Sequence, residues 1–420
     1  MRENDTEPLV KLLHKDTVFS YLLKWILLSF IIGAAAGTLS ALFLTLLNLA
    51  TDFRNQHIQM IYLLPVAGFF IGFMYYHKGK NVERGNNLVF DTIHNPKDVI
   101  PFKMTPLVLL GTIVTHLFGG SAGREGTALQ MAAATADQLH QPFRLSAEDR
   151  KILLIAGLSA GFASVFGTPW AGAIFGIEVL LIGKIPQKSI LPAIASAFIG
   201  AYVTGLWGVG HTHYQMGFIP QISLRGVWYS VVAGFAFSIA AVAFVRITDL
   251  LSTAFKKMKY APIRPVLGGV VVLVIVLVFG KYKYIGLGIP VIVDAFHQPA
   301  SAQDFAFKIL LTAITLASGF KGGEVTPLFF IGATLGSALS LFLPLPLGLL
   351  AGMGFVAVFA GAAKTPIACC MMAFELFGIS CGWYVAIACT VSFLASGHHS
   401  IYNAPENKSP KHLLFGRLGI

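Results

Sequence analysis

Two carboxylates sit in glycine-rich turns that open onto apolar segments. Glu125 lies in Gly119-Gly-Ser-Ala-Gly-Arg-Glu125-Gly-Thr127 and Glu324 in Gly319-Phe-Lys-Gly-Gly-Glu324-Val-Thr326, each with a threonine two positions on. A turn of this kind, opening a helix, leaves several backbone N–H groups unpaired, and the helix dipole adds positive partial charge at the same end. A dehydrated anion is the natural occupant of such an opening. Gly85-Asn86-Asn87-Leu88 is a third candidate opening. Taken singly, each glycine is equally well explained by close helix packing.

A carboxylate in the hydrocarbon region costs about 2.5–3.5 kcal/mol on insertion scales. An ionised Glu125 at a helix N-terminus would occupy the anion's own position, and it must be protonated or displaced before an anion passes. That competition couples anion movement to proton movement; the plainer alternative is a carboxylate that only caps its helix. Glu178 and Glu375 lie at the far ends of their segments and read as capping or packing groups holding two halves together. Tyr402 follows the last apolar run, after His398 and His399 and before Asn403. It is either an interface anchor or a hydroxyl reaching back to the anion, and the histidines read as loop residues. A phosphate-binding loop at Gly120–Thr127 lacks the lysine that must precede its hydroxyl residue. An intramembrane hydrolase using Ser121 or His398 lacks a nucleophile and base at a recognisable spacing.

The elements that must position these groups belong to a membrane protein. Hydrophobic residues make up 55% of the 420 positions and charged residues 12%, against about 45–50% and 25% in soluble domains. Apolar windows recur at 18–50, 61–75, 107–118, 190–206, 227–245, 266–279, 328–342 and 384–395. Only packed helices fill a bilayer with such segments without orphaning backbone groups. The first window exceeds the apolar core of a secretory signal and reads as a retained helix. The formal net charge of +11 sits in short loops between apolar runs, the distribution expected of cytoplasmic loops and not of a nucleic-acid binder. Cys369, Cys370, Cys381 and Cys389 match no zinc or redox spacing and read as small membrane-core residues.

The chain also repeats itself. Downstream of the two Glu-x-Thr turns, Ala156-Gly157 with Thr168-Pro169 and Glu178 matches Ala351-Gly352 with Thr365-Pro366 and Glu375, and both Thr-to-Glu gaps are ten residues. Two matched blocks in the same order indicate an internal repeat. The first copy carries Arg144, Arg150 and Lys151 between its blocks and Lys184 and Lys188 after them, whereas 340–350 and 377–383 of the second copy carry no charge. If basic loops face the cytoplasm, the copies are inverted and their helix ends meet near the bilayer midplane. Lys78, Lys80 and Arg84, then Lys256, Lys257, Lys259 and Arg264, and the tail residues Lys408, Lys411 and Arg417 fit the same side.

With these motifs in place the chain resembles, over nearly its whole length, the CLC family of chloride channels and anion/proton exchangers. Gly123-Arg124-Glu125-Gly126 is similar to the family's gating-glutamate motif, Ala156–Glu178 to the helix pair after it, and Gly322–Pro327 to the opening of the second anion-binding helix. Three features depart from the chloride type: Thr127 in place of a proline, Gly323-Glu324-Val325-Thr326-Pro327 in place of apolar and small residues, and Gly85-Asn86-Asn87-Leu88-Val89 in place of the serine loop. All three resemble the fluoride-exporting branch. Fluoride is small and strongly hydrated, so its site must replace water with many donors, and asparagine amides, the Thr326 hydroxyl and helix-end amides are suitable.

The resemblance implies an all-α polytopic membrane protein with the CLC-type inverted-repeat fold, roughly 16–18 membrane helices, many short, tilted or re-entrant. It implies a fluoride/proton antiporter, with a chloride or other halide exchanger or channel as the alternative. Glu125 and Glu324 serve gating and proton transfer. Asn86 or Asn87, Gly123, Arg124, Gly126, Thr127, Gly323, Val325, Thr326 and Tyr402 bind the anion, and Phe90 walls the pathway. Val179 stands where chloride exchangers carry an inner proton-transfer glutamate, so a different inner route is required. The implied assembly is a homodimer in a cell membrane, of bacterial inner or plasma-membrane type, with fluoride, protons and possibly chloride as transported ions, lipid as surroundings and no cofactor. The expected organisation is a cytoplasmic segment 1–17, a first repeat 18–215, a second, inverted repeat 216–404 and a cytoplasmic tail 405–420, with both termini inside.

Overall fold

The structure is a computed structural model describing residues 18–95, 99–179 and 187–402. The segments 1–17 and 405–420, with Lys184 and Asn403, lie outside the described residues. What is described is all helical: α1 (Val18–Gln56), α2 (Leu64–Lys78), α3 (Asn86–His94), α4 (Met104–Leu117), α5 (Glu125–Asp137), α6 (Ala147–Phe166), α7 (Pro169–Glu178), α8 (Ile190–Leu206), α9 (Leu224–Lys256), α10 (Ile263–Phe279), α11 (Ile289–Asp294), α12 (Asp304–Ser318), α13 (Val325–Leu339), α14 (Leu347–Ala363), α15 (Pro366–Phe377) and α16 (Gly382–Ala395). Among the described residues four helical stretches, Val18–Gln56, Ile58–Lys78, Gln187–Leu206 and Leu224–Lys256, are long and apolar enough to cross a membrane, and six others are shorter apolar helices.

Local chemistry sets the boundaries. Ser146 opens α6 with a capping box: its hydroxyl accepts from Asp149 N at 3.1 Å, and the Asp149 carboxylate accepts from Ser146 N at 3.3 Å. The helix stops at Gly167, whose φ of 70° lies in the left-handed region that glycine enters without a Cβ clash. Pro169 and Pro366 each occupy the first position of a helix, where a missing N–H is no loss.

The packing repeats with a shift of eight in helix number. α5 packs on α6 and α13 on α14; α6 packs on α8 and α14 on α16; α1 packs on α8 and α9 on α16. Three counterpart pairs, α2 with α10, α5 with α13 and α7 with α15, touch each other directly. The α13–α14 contact is close enough that a Cβ at Gly332 would lie 1.9 Å from the Gly354 carbonyl oxygen, the small-residue contact by which membrane helices associate. α7 and α15 are capped reciprocally across this arrangement. The Glu178 carboxylate accepts from Ile367 N at 2.9 Å and Ala368 N at 2.7 Å, and Glu375 accepts from Trp170 N at 2.9 Å and Ala171 N at 2.8 Å. This is the capping role expected of the two carboxylates from their positions in sequence.

Candidate functional site

The two glycine-rich turns meet. Gly123 N donates to Gly323 O at 2.6 Å and Gly323 N donates to Gly123 O at 2.7 Å, an antiparallel bridge between segments from the two halves of the chain. Matched threonines lock the turns: Ser121 N donates to Thr315 Oγ1 at 3.2 Å and Lys321 N to Thr115 Oγ1 at 3.3 Å. A Cβ at Gly323 would lie 2.6 Å from Gly126 N, and one at Gly123 would lie 2.8 Å from Glu125 Oε2. Only glycine fits at these contacts, and the N-termini of α5 and α13 converge beside them.

The bridge pairs 123 with 323, and the helix caps confirm this register: Arg124 caps α5 and Glu324 caps α13. The Glu-x-Thr match made in sequence is therefore offset by one residue. Glu125 is the first residue of its helix, and its counterpart is Val325 rather than Glu324. One residue on a helix turns a side chain by about 100°, so the two carboxylates have different surroundings: Glu125 is fully buried, whereas Glu324 is partly exposed.

The Glu125 carboxylate lies on the N-terminus of α13. Thr326 N donates to Oε2 at 3.0 Å, Arg124 N donates to the same oxygen at 3.1 Å, and the Thr326 hydroxyl donates to Oε1. Arg124 Nε stands 3.6 Å from Oε1. A negative side chain thus takes up the backbone and hydroxyl donors that would serve a free anion.

Around this point the structure gathers most of the residues singled out in sequence. Gly85, with φ of 56°, caps α3 and makes Asn86 its first residue. The Asn86 Nδ2 lies 3.1 Å from where a Cβ on Gly126 would stand, which puts its amide against the turn that carries Glu125. Tyr402 is buried beside Phe90, their rings edge to face with centroids 4.9 Å apart. Among the described residues the Tyr402 hydroxyl and Asn86 Oδ1 are buried without a hydrogen-bond partner. Val325 is buried in the first turn of α13. The Thr127 hydroxyl is hydrogen-bonded with Thr112 Oγ1 at 2.6 Å, across the α4–α5 contact. Asn87 follows Asn86 in the first turn of α3. The Ser121 hydroxyl is committed to Tyr284 O at 3.0 Å and Thr312 Oγ1 at 2.9 Å.

Sequence reasoning passed over two sets of polar groups beside the site. Arg54 and Lys308 are buried. Arg54 donates to His116 O at 3.0 Å, and Lys308 donates to the carbonyls of Tyr284 at 3.0 Å and Gly286 at 2.7 Å. Their signal was a charged residue inside an apolar run. The second set is the segment 207–223 between α8 and α9, which brings His211, Thr212 and Tyr214 to a cavity of about 20 Å³ shared with Arg124 and Thr326. Its signal was a run of polar rings between two long apolar helices.

Comparison with known proteins follows the same lines. Residues 67–397 match the family model described as voltage gated chloride channel. A chloride/fluoride channel protein of Pseudomonas syringae pv. tomato is 50% identical over 399 residues, covering 93% of this chain and 88% of that protein. The crystal structure of a CLC-type fluoride/proton antiporter superposes with a TM-score of 0.89 at 33% identity, covering 93% of this chain and 99% of that one. A slow cyanobacterial Cl⁻/H⁺ antiporter shares the fold, with a TM-score of 0.77 at 18% identity, covering 94% and 97% of the two chains. The chain belongs to the CLC family of voltage-gated chloride channels and is a multi-pass membrane protein with the all-helical CLC fold. Membership of a family of channels and transporters leaves the intramembrane-hydrolase alternative without support.

Proposed function

We propose that the protein is a secondary transporter that exports fluoride in exchange for protons, with Glu125 as gate and proton acceptor. The observation that carries this reading is the Glu125 carboxylate seated on Thr326 N and the Thr326 hydroxyl. In its ionised form the side chain competes with fluoride for those donors, and in its protonated form it gives them up. Each anion that passes therefore requires a change in the protonation or position of Glu125. Two relatives support the same choice of ions: the Pseudomonas protein is described as a chloride/fluoride channel protein and the similar solved structure as a fluoride/proton antiporter.

In this reading Asn86 stands in for the anion-binding serine of chloride-type relatives, because its amide abuts Gly126. The anion site further comprises Gly123, Arg124, Val325, Thr326 and Tyr402, with Phe90 as a pathway wall and Glu324 as a second carboxylate on the proton route. The repeats run over 18–215 and 216–404 in opposite orientation, the termini lie in the cytoplasm, and two copies assemble as a homodimer in which each subunit has its own pathway. A chloride-carrying channel or exchanger of the same fold is the second reading, since the Pseudomonas relative's description names chloride beside fluoride. Purified protein in liposomes, with fluoride and chloride efflux recorded side by side and proton uptake followed by electrode, tests the choice. Fluoride efflux accompanied by proton uptake is the expected result, and chloride moving as fast as fluoride overturns it.

A further inference from the structure

The segment 207–223 covers the end of α6 away from Arg144, Arg150 and Lys151. His211 is fixed there from two sides. Its Nδ1 lies 3.1 Å from Val165 O, and its ring is packed on Gly167, where a Cβ would come within 2.4 Å of Cδ2. With Nδ1–H donating to that carbonyl, the remaining nitrogen of the neutral ring carries the lone pair. That nitrogen, Nε2, is buried with no hydrogen-bond partner among the described residues.

The ring borders the cavity of about 20 Å³ that also touches Arg124, Thr212, Tyr214 and Thr326. The volume accommodates one water or one small ion. Arg124 and Thr326 are the residues that hold the Glu125 carboxylate. Tyr214 lines a second, larger cavity of about 280 Å³ together with His213, Gln215 and His297, so it borders both spaces.

Resting on the antiport reading, we propose that His211 relays protons from the outer vestibule to Glu125 and that its protonation is linked to an anion standing beside Arg124. In the first transfer an O–H bond of hydronium breaks as Nε2–H forms, giving imidazolium. In the second, Nε2–H breaks as an O–H bond forms on the Glu125 carboxylate, so His⁺ and Glu⁻ become a neutral pair.

The charges facing His211 explain the linkage. Burial, then the Arg124 guanidinium, hold its proton affinity below the ordinary histidine range, with His213 adding a smaller push the same way and the Val165 carbonyl opposing them. Tyr214 stands beside it and lies within reach of both Arg124 and Glu125. His211 therefore binds a proton less readily than an ordinary histidine while Arg124 is only partly offset by the Glu125 carboxylate 3.6 Å away. An anion arriving beside Arg124 offsets the guanidinium and makes proton uptake easier, and by reciprocity a protonated His211 favours the anion. An outgoing anion thereby draws in the proton that exchanges for it.

The test uses wild-type, His211→Gln and His211→Gly protein in liposomes, with fluoride-driven proton uptake measured as external pH rises from about 6 to about 8. The relay predicts that His211→Gln loses about tenfold in proton uptake at the alkaline end and little at the acid end. It also predicts that external imidazole restores uptake in His211→Gly. Wild-type pH profiles in both variants, or no response to imidazole in correctly folded His211→Gly, overturn the relay alone. Wild-type protein moving fluoride without protons overturns the antiport reading and the relay together. His211→Asn, which keeps a donor for the Val165 carbonyl, replaces His211→Gln if the latter fails to fold, and it carries the same prediction.

Discussion

At the scale of single residues, the proposed chemistry turns on one carboxylate fully removed from water. Its three donors, Arg124 N, Thr326 N and the Thr326 hydroxyl, offset a desolvation that would otherwise cost several kcal/mol. Hydrogen bonds to a charged group are stronger than neutral ones, so the ionised side chain holds its place firmly and the protonated one loosely. Glu125→Gln keeps the shape and removes the titration. We expect this variant to lose proton uptake in the liposome assay, with fluoride exchange either blocked or uncoupled, and to retain a wild-type elution profile and melting temperature. Unchanged proton-coupled flux would remove Glu125 from the mechanism. The neighbouring glycines matter for a different reason: at 123 and 323 a Cβ would collide with the carboxylate or with backbone.

At the scale of helices, the reciprocal caps set how α7 and α15 meet. Each helix begins with a proline and ends in a glutamate that takes two N–H groups from the first turn of the other. An N-terminal cap is worth about 0.5–2 kcal/mol. Glu178→Ala and Glu375→Ala are each expected to destabilise the protein by about 1–2 kcal/mol, lowering the melting temperature in detergent. Neither carboxylate touches the anion site, so fluoride affinity should stay at the wild-type value in both; a tenfold loss of affinity without loss of stability would assign them a transport role instead. The connected end of the α5–α6 hairpin is fastened differently, by a two-point pair in which Arg150 Nε meets Asp137 Oδ1 at 2.7 Å and Nη2 meets Oδ2 at 2.8 Å.

At the scale of the molecule, orientation follows from the loops. The connection from α5 to α6 carries Arg144, and α6 opens with Arg150 and Lys151, whereas 340–350, the corresponding connection from α13 to α14, is uncharged. The positive-inside rule predicts a cytoplasmic first connection, and the antiparallel bridge at Gly123 and Gly323 fits copies of opposite sense. Gln141 and Gln215 are both exposed, and of the four native cysteines three are buried and Cys370 is partly so. A cysteine introduced at Gln215 should therefore react with a membrane-impermeant maleimide on intact cells, and one at Gln141 only after permeabilisation. The reverse pattern would invert the assignment of both termini and of the outer vestibule.

The amino-acid sequence by itself determined the solvent and the symmetry. Apolar windows record the bilayer because a span through it must be predominantly apolar, and loop charge predicts sidedness because lysine and arginine favour the cytoplasmic side. The turn motifs around Glu125 and Glu324 were legible because glycine is required wherever two backbones touch. The tertiary structure alone decided which donors converge. The bond from Thr326 to Glu125 spans 201 residues, and no local pattern encodes a contact at that distance. It also decided the one-residue register that separates Glu125 from Glu324, turned Thr127 toward Thr112, and put the Asn86 amide against Gly126. Neighbouring residues on a helix differ little in composition but face directions about 100° apart. Only packing selects which of them looks into the site.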